Sequence, residues 1–173
     1  MAELIARQLD PHRIAGLDMS AFTRPAQHAG QVTELIPGAI NPYFVGGPVQ
    51  INAAGLRGPE LDESRALPRF LAVGDSVTFG YGVRHEETWI AQLADERAAM
   101  GLPVEVVNGG LSGAGLRYYR TFLQRRCAEI GPAHVLVGLV INDIVPYRTE
   151  AAPSAAHRRR STAGAPPPSS TTA

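Results

Sequence analysis

Between Phe70 and Asp143 the chain alternates short apolar runs with stretches of helical periodicity. FLAV (70–73) is wholly apolar and ends in Gly74-Asp75-Ser76, VEVV (104–107) follows Pro103, and HVLVGLVI (134–141) ends at Asn142-Asp143. Short apolar runs bounded by turn residues predict strands buried on both faces, as in a parallel sheet. Glu86 to Met100 sets Trp89, Leu93 and Met100 on one helical face, with Glu86 and Glu87 in the first turn, where the helix dipole favours negative charge. After the Gly-rich loop NGGLSGAG (108–115), Leu116, Tyr119, Leu123, Cys127 and Ile130 fall on one stripe. That predicts a second helix, stopped by Gly131-Pro132 with Arg125 and Arg126 near its C-terminus. The order β-α-β-α-β predicts an α/β fold, a parallel sheet covered by helices on both faces in a three-layer α/β/α sandwich.

The flanks have a different texture. Residues 1–68 are punctuated by Pro and Gly and predict a lead-in segment wrapped on the core, with one or two short extended pieces, Val49 to Asn52 the best of them. After Tyr147 there is no Val, Ile, Leu, Met, Phe, Tyr or Trp. Such a stretch buries too little apolar surface to offset chain entropy, so 149–173 is expected to be a disordered tail beyond a core at 69–148.

Composition narrows the partners. Lys+Arg and Asp+Glu are balanced at 16 each and charged residues make up 18%, so the electrostatic footprint of a nucleic-acid binder is missing. All the basic residues are Arg, which carries no functional reading. A single cysteine, Cys127, excludes an intramolecular disulfide and a thiolate metal cluster. The N-terminal residues lack the apolar run of a signal peptide, and no run of about 18 apolar residues occurs, so a cytoplasmic chain without a membrane span is expected.

Ligands of open α/β sheets bind outside the carboxyl ends of the strands. With a strand order of 2-1-3, Ser76 and Asn142 stand at adjacent strand ends, with Gly113 on the neighbouring loop. A hydroxyl nucleophile, a backbone N–H donor and a side-chain amide donor then converge, a set suited to acyl transfer.

At these residues the chain resembles the GDSL, or SGNH, hydrolase family of serine esterases and lipases, from Phe70 to about Tyr147. GDSVTFGYGV (74–83) is similar to the family's nucleophile block, with Ser76 matching the catalytic serine. Gly113 in VVNGGLSGAG and Asn142 in LVIND match the oxyanion-hole glycine and asparagine. INAAGLRGPE (51–60) is similar to a lead-in that precedes this block in some members. The resemblance implies a flavodoxin-like sheet, a small acyl or acetyl ester as substrate, no metal and no organic cofactor. It also implies an oxyanion hole built from the Ser76 and Gly113 N–H groups and the Asn142 side chain.

Two positions depart from the family pattern. The glycine two residues before the asparagine is here Val140, and no His has Asp three residues before it, so the Asp-x-x-His block that supplies the base is not found. The expectation is a core broken off near Arg148, its later strands missing, with an exposed third strand through which copies self-associate.

Plainer readings stand beside these. Asp75 or Ser76 serves as a turn cap, and Asn142-Asp143 as a strand-end turn. NGGLSGAG does not have the G-x-G-x-x-G spacing of a dinucleotide loop. His85 and His134 read as structural or solvated, and His157 lies in the tail beside Arg158 to Arg160. The competing function is a non-catalytic remnant that binds an ester or sugar-like ligand in the same cleft.

Overall fold

The computed structural model describes residues 18–27 and 33–144; the expected disordered tail lies outside them. Among its described residues the lead-in forms four short strands instead of one or two. β1 (Thr23–Pro25) pairs antiparallel with β2 (Thr33–Leu35), and β3 (Ile40–Asn41) with β4 (Val49–Gln50). The piece expected to reach Asn52 stops at Gln50 because Asn52 turns the chain: its Oδ1 accepts from Leu56 N–H at 3.0 Å and its Nδ2 donates to the Pro59 carbonyl at 2.8 Å.

β5 (Arg69–Gly74), β6 (Glu105–Gly110) and β7 (His134–Gly138) form a parallel three-stranded sheet in the order β6-β5-β7. Leu71, Ala72 and Val73 of the central strand are fully buried, which explains why FLAV carries no polar alternation. Leu71 and Val73 share one apolar cluster with Val107, Phe79 and Phe122 and with Phe22, Leu35, Phe44, Val49 and Ile51 from the lead-in. The Phe22 ring stacks on Phe79 at 5.7 Å and meets Phe44 edge-on at 5.1 Å. The lead-in therefore covers the chain that follows β5.

Four α-helical segments are described: α1 (Ser76–Phe79), α2 (Trp89–Ala99), α3 (Leu116–Ile130) and α4 (Ile141–Ile144). α2 begins three residues later than the acidic pair suggests. Thr88 is extended and its Oγ1 accepts from Ala91 N–H at 3.3 Å, so Thr88 is the cap. Glu86 and Glu87 lie instead in a 3₁₀ turn, His85–Glu87, where Glu87 binds both the Arg84 N–H and guanidinium. Met100 lies beyond the last turn and is 70% exposed, so the stripe from Trp89 ends early and Ile90 is the residue α2 buries.

α3 has its expected bounds, and Gly131 ends it in the left-handed conformation, donating to the Cys127 carbonyl at 2.8 Å. Its buried face is Tyr118, Tyr119, Phe122 and Ile130, rotated from the expected stripe, and Leu116 is exposed. The large rings set the face: Tyr118 and Phe122, one turn apart, lie with centroids 5.5 Å apart.

β7 is shorter than its apolar run. Leu139 and Val140 leave the sheet because Asp143 Oδ2 accepts from Val140 N–H at 2.9 Å and folds the run into α4. β6 is longer than VEVV and takes in Asn108-Gly109-Gly110, the first part of the expected loop. Among the described residues β7 pairs only with β5, and Val135 and Val137 are 40% and 49% exposed. Amides of β7 are expected to exchange with solvent faster than those of Leu71 to Val73, as edge strands do relative to central ones. Native-state hydrogen exchange on monomeric protein measures this, and equal protection of the two strands contradicts it. Among the described residues no helix is long and apolar enough to cross a membrane.

Candidate functional site

The carboxyl edge of the sheet is built on a row of glycines. Register pairs Gly74 with both Gly110 and Gly138, so all three strands carry glycine at the same level. None of the three has room for a side chain. A Cβ on Gly74 or Gly138 would lie 2.0 or 2.3 Å from Thr78 Oγ1, and one on Gly110 would lie 2.2 Å from the Phe79 nitrogen. The one-turn helix α1 is thus seated directly on the sheet, with Thr78 over β5 and β7 and the Phe79 backbone over β6.

Ser76 opens that helix and is half-buried. The cap reading falls on its neighbour: Asp75 Oδ1 accepts from Val77 N–H at 2.9 Å, and Asp75 is 2% exposed. The Ser76 carbonyl accepts from Gly80 at 3.0 Å and Tyr81 at 2.9 Å, closing the turn behind it. Among the described residues the Ser76 hydroxyl is engaged in no hydrogen bond, which leaves it available to a ligand.

Gly113 lies in the exposed loop between β6 and α3 with φ at +75° and open space where a Cβ would be, so backbone conformation alone favours glycine there. Asn142 is the second residue of α4, four residues past the end of β7, and is a helix residue instead of a strand end. Ser76, Gly113 and Asn142 follow the ends of β5, β6 and β7 and therefore share one edge of the sheet.

Other polar groups at this edge carry no signal in the sequence. Tyr119, in the first turns of α3, and Asp143, in α4, are both buried and interact with each other. Burial first, then hydrogen bonding to Asp143, then the Asp143 and Asp75 charges push the Tyr119 phenol well above its ordinary value, so it stays protonated and able to donate. Ser112 Oγ is also buried without a partner among the described residues. In the sequence Tyr119 belongs to an apolar stripe, and its hydroxyl gives no periodic signal.

Neither described imidazole belongs to this constellation. His134 opens β7 at the opposite end of the strand, its ring 4.6 Å from Phe70. In the 3₁₀ turn, His85 lays its ring over Gly58, where a Cβ would come within 2.6 Å of its Cε1. Burial and then the nearby Arg57 guanidinium lower its pKa and favour the neutral ring. His12, His28 and His157 lie outside the described residues. Among the described residues no group of three or more His, Cys, Asp or Glu side chains is placed to hold a metal ion.

No protein-family model matches the chain, and no curated protein does. Among solved structures, the chain is similar to AlinE4, an SGNH-hydrolase family esterase, and to a point mutant of it. Each match has a TM-score of 0.37 and 28% identity, covering 49% of this chain and 44% of that one. The chain thus spans less than half the length of the esterase it matches.

Proposed function

We propose that the chain is a serine ester hydrolase domain of SGNH type, with Ser76 as nucleophile toward a small acyl or acetyl ester. The Ser76 and Gly113 N–H groups and the Asn142 side chain form its oxyanion hole. The observation that supports this best is the division of labour at the end of β5: Asp75 caps α1, so the Ser76 hydroxyl is left unspent at the carboxyl edge of a parallel sheet. In the reaction Ser76 Oγ gives up its proton to water and bonds to the ester carbonyl carbon, the carbonyl electron pair moves onto its oxygen, and N–H donors fixed beforehand stabilise that charge. The C–O bond then breaks, the alcohol leaves with a proton from water, and a second water hydrolyses the acyl-Ser76 ester to acid and free Ser76. The proposal extends to the fold: a flavodoxin-like three-layer α/β/α sandwich with a lead-in at 1–68, a core at 69–148 and a tail at 149–173. The apolar edge of β7 would be covered by a second copy, which sedimentation would register as a dimer.

Asn142→Ala is expected to lower kcat by roughly 10²–10³ with KM little changed, as for loss of one oxyanion donor. Steady-state kinetics on p-nitrophenyl acetate measure it, and an unchanged kcat reduces Asn142 to a turn residue.

A second reading is favoured by the position of the imidazoles. With His134 at the far end of β7 and His85 packed on Gly58, the fold would bind an ester or sugar-like ligand at the same edge without turning it over. A fluorophosphonate separates the two, because Ser76 Oγ displaces fluoride from phosphorus only where the hydroxyl is activated.

A further inference from the structure

The motif INAAGLRGPE holds a guanidinium in the protein interior. Arg57 is 2% exposed and makes no ion pair among the described residues. Its terminal nitrogens donate to carbonyls, Nη1 to Phe79 at 2.7 Å and Gly80 at 2.5 Å and Nη2 to Val83 at 2.7 Å, while the buried Nε has no partner among the described residues. Its Cζ also lies 4.9 Å from the Phe79 ring centroid. The Phe79 and Gly80 carbonyls are at the C-terminal end of α1, where a helix has acceptors without intrahelical donors and a negative dipole end. Asn108 of β6 completes the set, its Nδ2 donating to the Thr78 carbonyl at 2.8 Å.

The backbone also holds Arg57 at this spot. Arg57 bridges Ile51 on one side and Asn108 on the other, tying the lead-in to β6. Gly80 makes the approach possible: it has φ at +85°, and a Cβ there would fall 2.7 Å from Arg57 Nη1 and 2.4 Å from Thr88 Cγ2. The planar fork suits the task, since one Arg spans three carbonyls over residues 79–83 while the single ammonium of a lysine is a point donor.

We infer that Arg57 is the positioning residue of the nucleophile turn: by gathering the Phe79, Gly80 and Val83 carbonyls it fixes the far end of α1 and so holds Ser76 in its reactive orientation. The inference rests on the nucleophile reading of Ser76. Small displacements of a reacting group are costly, on the order of 10²-fold for about 1 Å.

The test compares wild type with Arg57→Lys and Gly80→Ala, each checked for a cooperative thermal transition above the assay temperature. Two readouts are taken: hydrogen exchange at the Gly80 and Tyr81 amides, both bonded to the Ser76 carbonyl, and the kinetics of Ser76 modification by a fluorophosphonate. In Arg57→Lys both amides are expected to exchange faster, and the maximal modification rate to fall about 10- to 100-fold with the half-saturating probe concentration unchanged. If Arg57→Lys does not fold, Gly80→Ala carries the same expectation at the Tyr81 amide, because its Cβ crowds Arg57 Nη1 as well as Thr88 Cγ2 while leaving Arg57 in the chain. Wild-type exchange and modification rates in a folded variant overturn the inference. If wild type itself is not modified at Ser76, the nucleophile reading fails; exchange at Gly80 and Tyr81 still decides whether Arg57 clamps the turn.

Discussion

The 173-residue chain is expected to hydrolyse p-nitrophenyl acetate no more than about 10³–10⁴ times faster than water does. A serine triad that loses its base can lose about as much rate as one that loses all its members, on the order of 10⁶-fold, and what remains comes from the oxyanion donors and binding. The described imidazoles are spoken for: His134 is at the opposite end of β7 from the Ser76 edge, and His85 is packed on Gly58 beside Arg57. No His in the sequence has Asp three residues before it. Initial rates of wild type and Ser76→Ala measure the effect, with a modest difference between the two expected. Turnover in the ordinary enzymatic range of about 1–10³ s⁻¹, abolished in Ser76→Ala, would show that a base reaches Ser76 after all.

Gly110→Ala is expected to destabilise the fold by about 3 kcal/mol or more, at the upper end of overpacking costs. The new Cβ would lie 2.2 Å from the Phe79 nitrogen and 2.6 Å from the Thr78 carbonyl carbon, backbone atoms that no rotamer change can move. Relief requires lifting α1 off the sheet, which also breaks the Asn108 bond to the Thr78 carbonyl. Gly82→Ala serves as the control: φ is +83° there but nothing lies within 4 Å of its Cβ, so only backbone strain of about 1 kcal/mol is expected. Against a total stability of about 5–15 kcal/mol the difference is readily measured by urea denaturation. Equal stability of the two variants would mean that α1 is not seated on the glycine row.

The elements most readable from the sequence are those whose signal is local. FLAV is apolar throughout because β5 is buried on both faces, and Gly131 marks the end of α3 because a left-handed cap favours glycine. Where two local signals competed, the sequence misled: the acidic pair Glu86-Glu87 suits a helix N-terminus and a 3₁₀ turn alike, and the Thr88 cap decided between them. The run through Leu139 and Val140 is as apolar as the strand before it, and only the Asp143 bond to Val140 shows where β7 ends. At the candidate site, Ser76 could be singled out from its block, whereas Arg57 could not be assigned a task. Its hydrogen bonds reach carbonyls 22 to 26 residues away, and contacts at that separation leave no periodic pattern. The glycine row is likewise invisible until register aligns the three strands.

The central claim, that Ser76 is a reactive hydroxyl at the carboxyl edge of the sheet, is tested most directly by peptide mass spectrometry after prolonged incubation with a fluorophosphonate. Modification confined to Ser76, slow but absent in Ser76→Ala and at the other serines, is the result this account predicts. An unmodified Ser76, or modification spread evenly over exposed serines, would contradict it.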